Sequence, residues 1–278
     1  IRDRFRADRV TLSPTSFEKY IGCPFSYFGE KLLLLKEKKE NRWEGANIGQ
    51  YVHKMLCDTV RGCVQNGRFI APTDAELDSR MNKLSEDYFQ SFLGKEAAAD
   101  KQFMNTFRLA DDTVRRAAKE ICVELSKGSF VPSGFEYRIG LRDPDTNAIR
   151  FKCEKGSVFL TGSIDRVDIY TAPDGRKYAR VVDYKTYDKS LDPNRVGEGF
   201  DTQMLHYLFA YCDSNGTIPA AAVYVSVAEA ERDINAKERD PEAPEYPRRG
   251  LVLDNTDIID AMGSRVFLPI KLTKSGIH

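Results

Sequence analysis

Five residues, Ala172-Pro-Asp-Gly-Arg176, constrain the fold more than any other stretch, because they fix how the runs on either side must meet. VFLTGSIDRVDIY before them and KYARVVDYKTY after them are rich in β-branched and aromatic residues and read as two strands. Pro173 suits the first central position of a type I turn, and Gly175 suits the left-handed position that follows it in a three-residue hairpin. With Ala172 facing Arg176, the numbers of paired residues sum to 348, which places Asp165 opposite Asp183. Side chains two apart share a face, so Lys185 joins the two carboxylates, while Ile164 and Val182 take the other face. Like charges directly opposite are destabilising unless something neutralises them. A divalent cation, magnesium or manganese, is the simplest neutraliser, and a lysine beside it can stabilise charge developing on a phosphate oxygen. Taken alone, the pattern suits a solvated charged face equally well.

Three further features bear on that choice. His53 follows Gly49 by one helical turn on a run whose apolar positions Ile48, Val52, Met55, Leu56 and Val60 have helical spacing. Its plain reading is a histidine at the edge of an apolar face, and its sharper reading is a metal ligand, with Gly49 leaving room for a close approach. Gln203 and Tyr207 lie one turn apart on the helix after the DxK strand and share a face. Tyr207 by itself reads as core; Gln203 beside it then needs a polar partner. Glu136, in GFEYRIGLR, is either an exposed strand residue or a carboxylate facing the same cleft.

Lysines plus arginines equal aspartates plus glutamates at 42 each, so no global field draws the chain to a polyanion, and any such site must be local. The six cysteines, Cys23, Cys57, Cys63, Cys122, Cys153 and Cys212, form no CxxC pair or regular framework and read as reduced, with a cytoplasmic location. No apolar run is long enough for a membrane span, no signal peptide is visible, and no Walker motif is present.

Residues 1–9 read as a basic arm, and Thr15 with Glu18 as a capping box starting a helix near Ser16 that Cys23-Pro24 interrupts. Helices are expected at 45–64, 74–94 and 101–127, then three or four strands over 130–187, a helix at 202–211 and the strand AAAVYVSV. An exposed loop at 229–249, a short strand at GLVLD, a helix at 256–262 and a strand at 266–272 complete the chain. This is an α/β plan, one domain over 1–278, with a helical part at about 13–128, a sheet core at about 129–227 and an extension at 228–278.

Ser16, Tyr20, Cys23, Pro24, Tyr27 and Phe28, then Gly49 and His53, G-S-I-D-R-V-D from Gly162 to Asp168, V-V-D-Y-K-T from Val181 to Thr186, and Gln203 with Tyr207 occur in one order. In that order they resemble the RecB-like branch of the PD-(D/E)XK nucleases, and within it the nuclease domains of the AddB (RexB) family. The resemblance implies a restriction-endonuclease-like mixed sheet flanked by helices with a helical insertion. It implies metal ligation by His53, Asp165, Asp183 and the Tyr184 carbonyl, with Lys185 as catalytic lysine. Gln203 and Tyr207 would line the path of the strand, and Glu136 would match an acidic position of the family. The activity implied is metal-dependent hydrolysis of a DNA single strand delivered by an AddA/RexA-like helicase-nuclease partner in double-strand break repair. Cys23 would be the first ligand of a [4Fe–4S] cluster whose other three cysteines have no counterpart after Cys212, which reads as a fragment stopping short of them.

A nuclease-fold module that only guides DNA or holds a complex together is the alternative, against which His53, Asp165, Asp183 and Lys185 all stand intact. Two facing carboxylates also resemble a glycosidase pair, but a lysine and a histidine suit that chemistry poorly.

Overall fold

The computed structural model describes residues 8–35, 45–93, 101–141, 143–227, 244–246, 248–263, 267, 272–273 and 276–277. Most of the basic arm, most of the loop expected at 229–249 and most of the strand expected at 266–272 lie outside them.

In chain order the elements begin with β1 (Arg9–Leu12), α1 (Pro14–Gly22) and α2 (Pro24–Tyr27), the last running into a π-helical turn at Phe28–Leu32. Next come α3 (Gly45–Gly62), the small ribbon β2 (Val64–Gln65) and β3 (Arg68–Phe69), α4 (Asp74–Tyr88) and the long α5 (Lys101–Lys127). The sheet region holds β4 (Val131–Ile139), α6 (Pro144–Asn147), β5 (Ile149–Cys153), β6 (Gly156–Leu160), β7 (Gly162–Thr171) and β8 (Lys177–Lys185). It is followed by α7 (Pro193–Gly197), α8 (Gln203–Asn215), β9 (Ile218–Ser226), β10 (Arg248–Val252) and α9 (Thr256–Ala261). A two-residue ribbon, β11 (Leu272–Thr273) with β12 (Gly276–Ile277), ends the described chain.

The central sheet has the order β10-β9-β8-β7-β4, with β8 and β9 parallel and every other pair antiparallel. A satellite sheet, β1-β6-β5, sits beside it. Buried side chains of α3, α4 and α5 pack with Val182, Tyr184, Val223 and Val225 on one face of the central sheet, whereas Met204, Tyr207 and Leu208 of α8 pack with Ile164, Val167, Val181 and Tyr224 on the other. This is the mixed sheet flanked by helices that the sequence implied, with α4 and α5 as the inserted helical layer.

The hairpin forms with the expected register. Ala172 N–H donates to Arg176 O at 2.9 Å, Gly175 has φ 85°, and pairs run from Thr171↔Lys177 to Arg166↔Val182, all summing to 348. The ladder stops there, one step before Asp165 and Asp183. On its other edge β7 pairs with β4, and the couple Glu136 and Asp165 is missing between Phe135↔Arg166 and Tyr137↔Ile164. Glu136 has φ 50°, a left-handed conformation that breaks the regular alternation of the two strands at this point. Ile164 and Val182 do not share a face as expected: Ile164 packs on the α8 side and Val182 on the α3 side, because β7 loses its alternation between Ile164 and Arg166, where its ladder with β8 stops.

Two other expectations are corrected. The α1 cap is Ser13, whose Oγ accepts from Ser16 N–H at 3.1 Å, with Pro14 opening the helix; Glu18 instead accepts from Thr202 N–H at 3.0 Å at the start of α8. The span 130–187 holds five strands rather than three or four, because the polar stretch around Lys152, Glu154 and Lys155 turns β5 back onto β6.

Beneath α5, charge is buried. Arg166 donates to both oxygens of Asp168 at 2.9 and 3.1 Å and to the Tyr184 hydroxyl at 2.6 Å. Arg180 bridges Asp168 at 2.9 Å and Glu124 at 2.8 Å, and Arg248 adds a 2.7 Å bond to Glu124. Burial works to raise the Glu124 carboxyl, but Arg248, Arg180 and Arg166 together hold it down to about 2.

Candidate active site

Where β7 and β8 part, main-chain groups lose their ladder partners, and side chains take over. Asp165 Oδ2 accepts from the Tyr184 N–H at 2.8 Å, so a carboxylate continues the ladder by one bond. The same oxygen lies 3.0 Å from His53 Nδ1. His53 reaches it because α3 is fastened to β7 one turn further on, where Cys57 Sγ donates to the Asp165 carbonyl at 3.4 Å. The His53 ring also meets the Tyr184 ring edge-on, with centroids 6.2 Å apart.

Asp183 lies on the α8 side among Val181, Ala179 and Tyr224, the last being its direct neighbour on β9. Lys185 Nζ sits 2.6 Å from Asp183 Oδ2, and 5.9 Å from the centroid of the Tyr224 ring. Burial, followed by the charge of Asp165, pushes the Asp183 carboxyl up to about 6, although Lys185 and His53 pull it down. Burial alone would lower Lys185, yet the adjoining Asp183 carboxylate outweighs it and keeps the ammonium protonated. His53 behaves alike: burial lowers it, but its bond to Asp165 and the charges of Asp165 and Asp183 leave it raised. One lysine thus serves two carboxylates, and the cluster remains short of positive charge.

The fit to a divalent cation rests on one atom. Asp183 Oδ2 is buried and meets the Lys185 ammonium at 2.6 Å without good hydrogen-bond geometry, so its acceptor capacity is only partly used. Two carboxylates and an imidazole are a donor set that magnesium or manganese accepts. Among the described residues, no three or more His, Cys, Asp and Glu side chains stand close enough together to hold a metal ion as arranged here. His53 Nδ1 is occupied by Asp165, and the imidazole must be neutral to ligate a metal.

Gln203 and Tyr207 share a face as expected, with Gln203 Nε2 donating to the Tyr207 hydroxyl at 3.4 Å. The ring lies across Gly162, where a Cβ would collide with the Tyr207 hydroxyl and ring, so glycine is required there by close approach. Burial raises the Tyr207 phenol, and Asp183 and Lys185 both act on it, which puts the hydroxyl on the margin of the cluster. Gly49 has nothing within 4 Å of the position its Cβ would take, so packing does not demand it, and the space one turn before His53 is open.

Two sequence readings come apart from the site. Glu136 stands beside Asp165 in the strand order, with its side chain 68 % exposed and 3.6 Å from Arg61. Cys23 is exposed and joins two helices, accepting from Ser26 N–H at 3.4 Å. The sequence reading missed Tyr224, Cys57 and Glu18. Cys57 was findable, four residues after His53 on the same helical face; Glu18 was masked by a plausible local capping pattern.

The site is a fork between two strands, holding D…D-x-K with a histidine brought in from a helix. The chain belongs to the PD-(D/E)XK nuclease superfamily, with the match covering residues 11–262. It is similar to the B subunit of the ATP-dependent helicase/deoxyribonuclease of Clostridium acetobutylicum, at 25 % identity over 96 % of this chain and 24 % of that protein. The corresponding B subunit of Alkaliphilus oremlandii is 28 % identical over 96 % of this chain and 25 % of its own length, and that of Clostridioides difficile 25 % identical over 99 % and 25 %. The chain spans about a quarter of the length of these curated relatives. Among the described residues, no helix is long and apolar enough to cross a membrane.

Proposed function

We propose that this chain is a divalent-metal-dependent deoxyribonuclease that degrades a DNA single strand from an end, working in the cytoplasm as part of a helicase-nuclease that processes double-strand breaks. The observation that carries the reading is the under-compensated pair of half-buried Asp165 and buried Asp183 with Lys185 and His53 against it. His53, Asp165 and Asp183, with the Tyr184 carbonyl, would hold magnesium or manganese. When bound, such an ion polarises the phosphate and lowers the pKa of a coordinated water.

The chain's own residues do the rest. Lys185, kept an ammonium by Asp183, donates to the non-bridging oxygen on which charge grows during attack. Asp165 is tied to the main chain through Tyr184 N–H, which fixes where the acidic pair stands relative to the strand. Gln203 and Tyr207 border the same opening and line the path of the substrate. The names of the relatives support an ATP-driven partner, an AddA/RexA-like protein, that feeds the strand. A [4Fe–4S] cluster beginning at Cys23 would belong to a longer polypeptide.

The test is Asp183→Ala. Cleavage of single-stranded DNA with magnesium or manganese should fall on the order of a thousandfold, while the variant still unfolds in one cooperative urea transition, with its midpoint lowered because Lys185 loses its carboxylate partner. Normal cleavage by the purified variant refutes the assignment, and binding without cleavage by the wild type leaves only the DNA-guiding role.

A further inference from the structure

The rings nearest the fork fall into two kinds. Tyr184, Tyr224 and Tyr207 are buried and held by the core, whereas Tyr187, two residues beyond Lys185, is 56 % exposed. It follows the end of β8, where the chain bends, and among the described residues no hydrogen bond or ring contact holds it. It is nonetheless close: two residues after Lys185, its Cα lies within about 7.6 Å of that residue's Cα.

The next cation along the chain points the same way. Lys189 Nζ lies 5.9 Å from the centroid of the Tyr224 ring, the distance at which Lys185 meets it, so one buried ring carries two ammonium groups. Lys189 is fixed there: its main-chain N–H donates to Ser226 Oγ at 3.1 Å, and its ammonium pairs with Asp201. That carboxylate also accepts from Arg195 Nε at 2.8 Å, so one acid is shared between two cations, and the nearby Glu18 is engaged with Thr202 N–H. A ring with an open face next to an ordered ammonium is the minimal equipment for holding a nucleotide by base and phosphate without reading its sequence.

Building on the nuclease reading, we infer that Tyr187 and Lys189 form a nucleotide subsite adjoining the cleavage position, in which the Tyr187 ring stacks on an unpaired base and the Lys189 ammonium takes the neighbouring phosphate. Stacking of this kind requires a base free of its partner, so the subsite makes the chain select a single strand irrespective of sequence. Both residues position the substrate and neither takes part in bond breaking.

The experiment measures binding of the purified protein to a fluorescent oligothymidylate, and to the same strand with abasic residues, under chelator so that nothing is cut. Tyr187→Ala should weaken oligothymidylate binding about tenfold and leave the abasic strand unchanged, while Tyr187→Trp keeps the wild-type affinity. Lys189→Gln should lower affinity for both strands and reduce the slope of log affinity against log salt by about 0.7. An oligothymidylate affinity within twofold of wild type for Tyr187→Ala, an equal loss on the abasic strand, or an unchanged salt slope for Lys189→Gln overturns the inference while the nuclease reading stands. A wild-type protein that binds neither strand and cuts no DNA with magnesium brings down both.

Discussion

The β7/β8 hairpin carries buried charge at two places a few residues apart, and the surroundings treat it in opposite ways. Around Asp168 and Arg180, three arginines and two acids close on one another, and Glu124 is held down to about 2. At Asp165 and Asp183, two acids share a lysine and a histidine, and burial with the facing charge pushes Asp183 up to about 6. The strand backbone is common to both, so the difference lies in what the helices bring. α5 supplies Glu124 to complete the first cluster, whereas α3 supplies only His53 to the second and leaves Asp183 Oδ2 without a hydrogen bond. Arg248 Nη2 in the first cluster also lacks a hydrogen bond, so the difference is one of charge balance: a compensated network specifies the packing of a layer, and an under-compensated one keeps capacity for a ligand.

The comparison is broken most forcefully by Glu124→Ala. Removing the acid leaves Arg180 and Arg248 buried without their common partner, and the expected loss is about 3–5 kcal/mol in urea unfolding. A loss near zero would mean the arginines find other acceptors and the closed cluster is not a structural unit.

A pH series sharpens the contrast, because the two carboxyls act with opposite sign. Glu124 is depressed from 4.5 to about 2, so its stabilisation is present above the unfolded value and is lost as pH falls between those limits, by about 3 kcal/mol. Asp183 is raised from 3.8 to about 6, so its contribution is complete below the unfolded value and is lost as pH rises through about 6. The raised His53 works in the same direction as Asp183. Under chelator, urea midpoints should therefore rise on acidification from pH 7 toward 4 and fall below that, and Asp183→Asn should flatten the upper limb alone.

Tyr184→Phe probes the residue that joins the two regions, since its hydroxyl accepts from Arg166 and its main-chain N–H holds Asp165. Losing the hydroxyl leaves a buried guanidinium N–H unpaired, for about 1–3 kcal/mol of stability. Cleavage should stay within a fewfold of wild type, because the N–H survives; a large loss of activity would show that the two clusters are coupled through the ring.

The sequence made one of these regions readable and hid the other. Pro173 and Gly175 set the register, and the register brought Asp165, Asp183 and Lys185 together, because turn geometry is local and propagates along a ladder. The α3 spacing likewise placed His53 on a usable face. Arg166, Arg180 and Arg248 looked like ordinary strand charges, since nothing local reveals that α5, some 40 residues or more away in sequence, delivers Glu124 to them. The parallel pairing of β1 with β6 was out of reach for the same reason. The opposite placements of Ile164 and Val182 were missed because the alternation rule assumes regular strands, and β7 is irregular at Asp165, where its ladder with β8 stops.

The three residues of the 173–175 turn act as a gauge for chemistry that happens far from them. One residue more or fewer in that turn would slide β8 against β7 and exchange the facings of its side chains, presenting Val182 where Asp183 stands and exposing apolar groups at the same stroke. The acidic pair and the covered apolar face are thus tied to a single loop length, and a chain that drifts there loses both together.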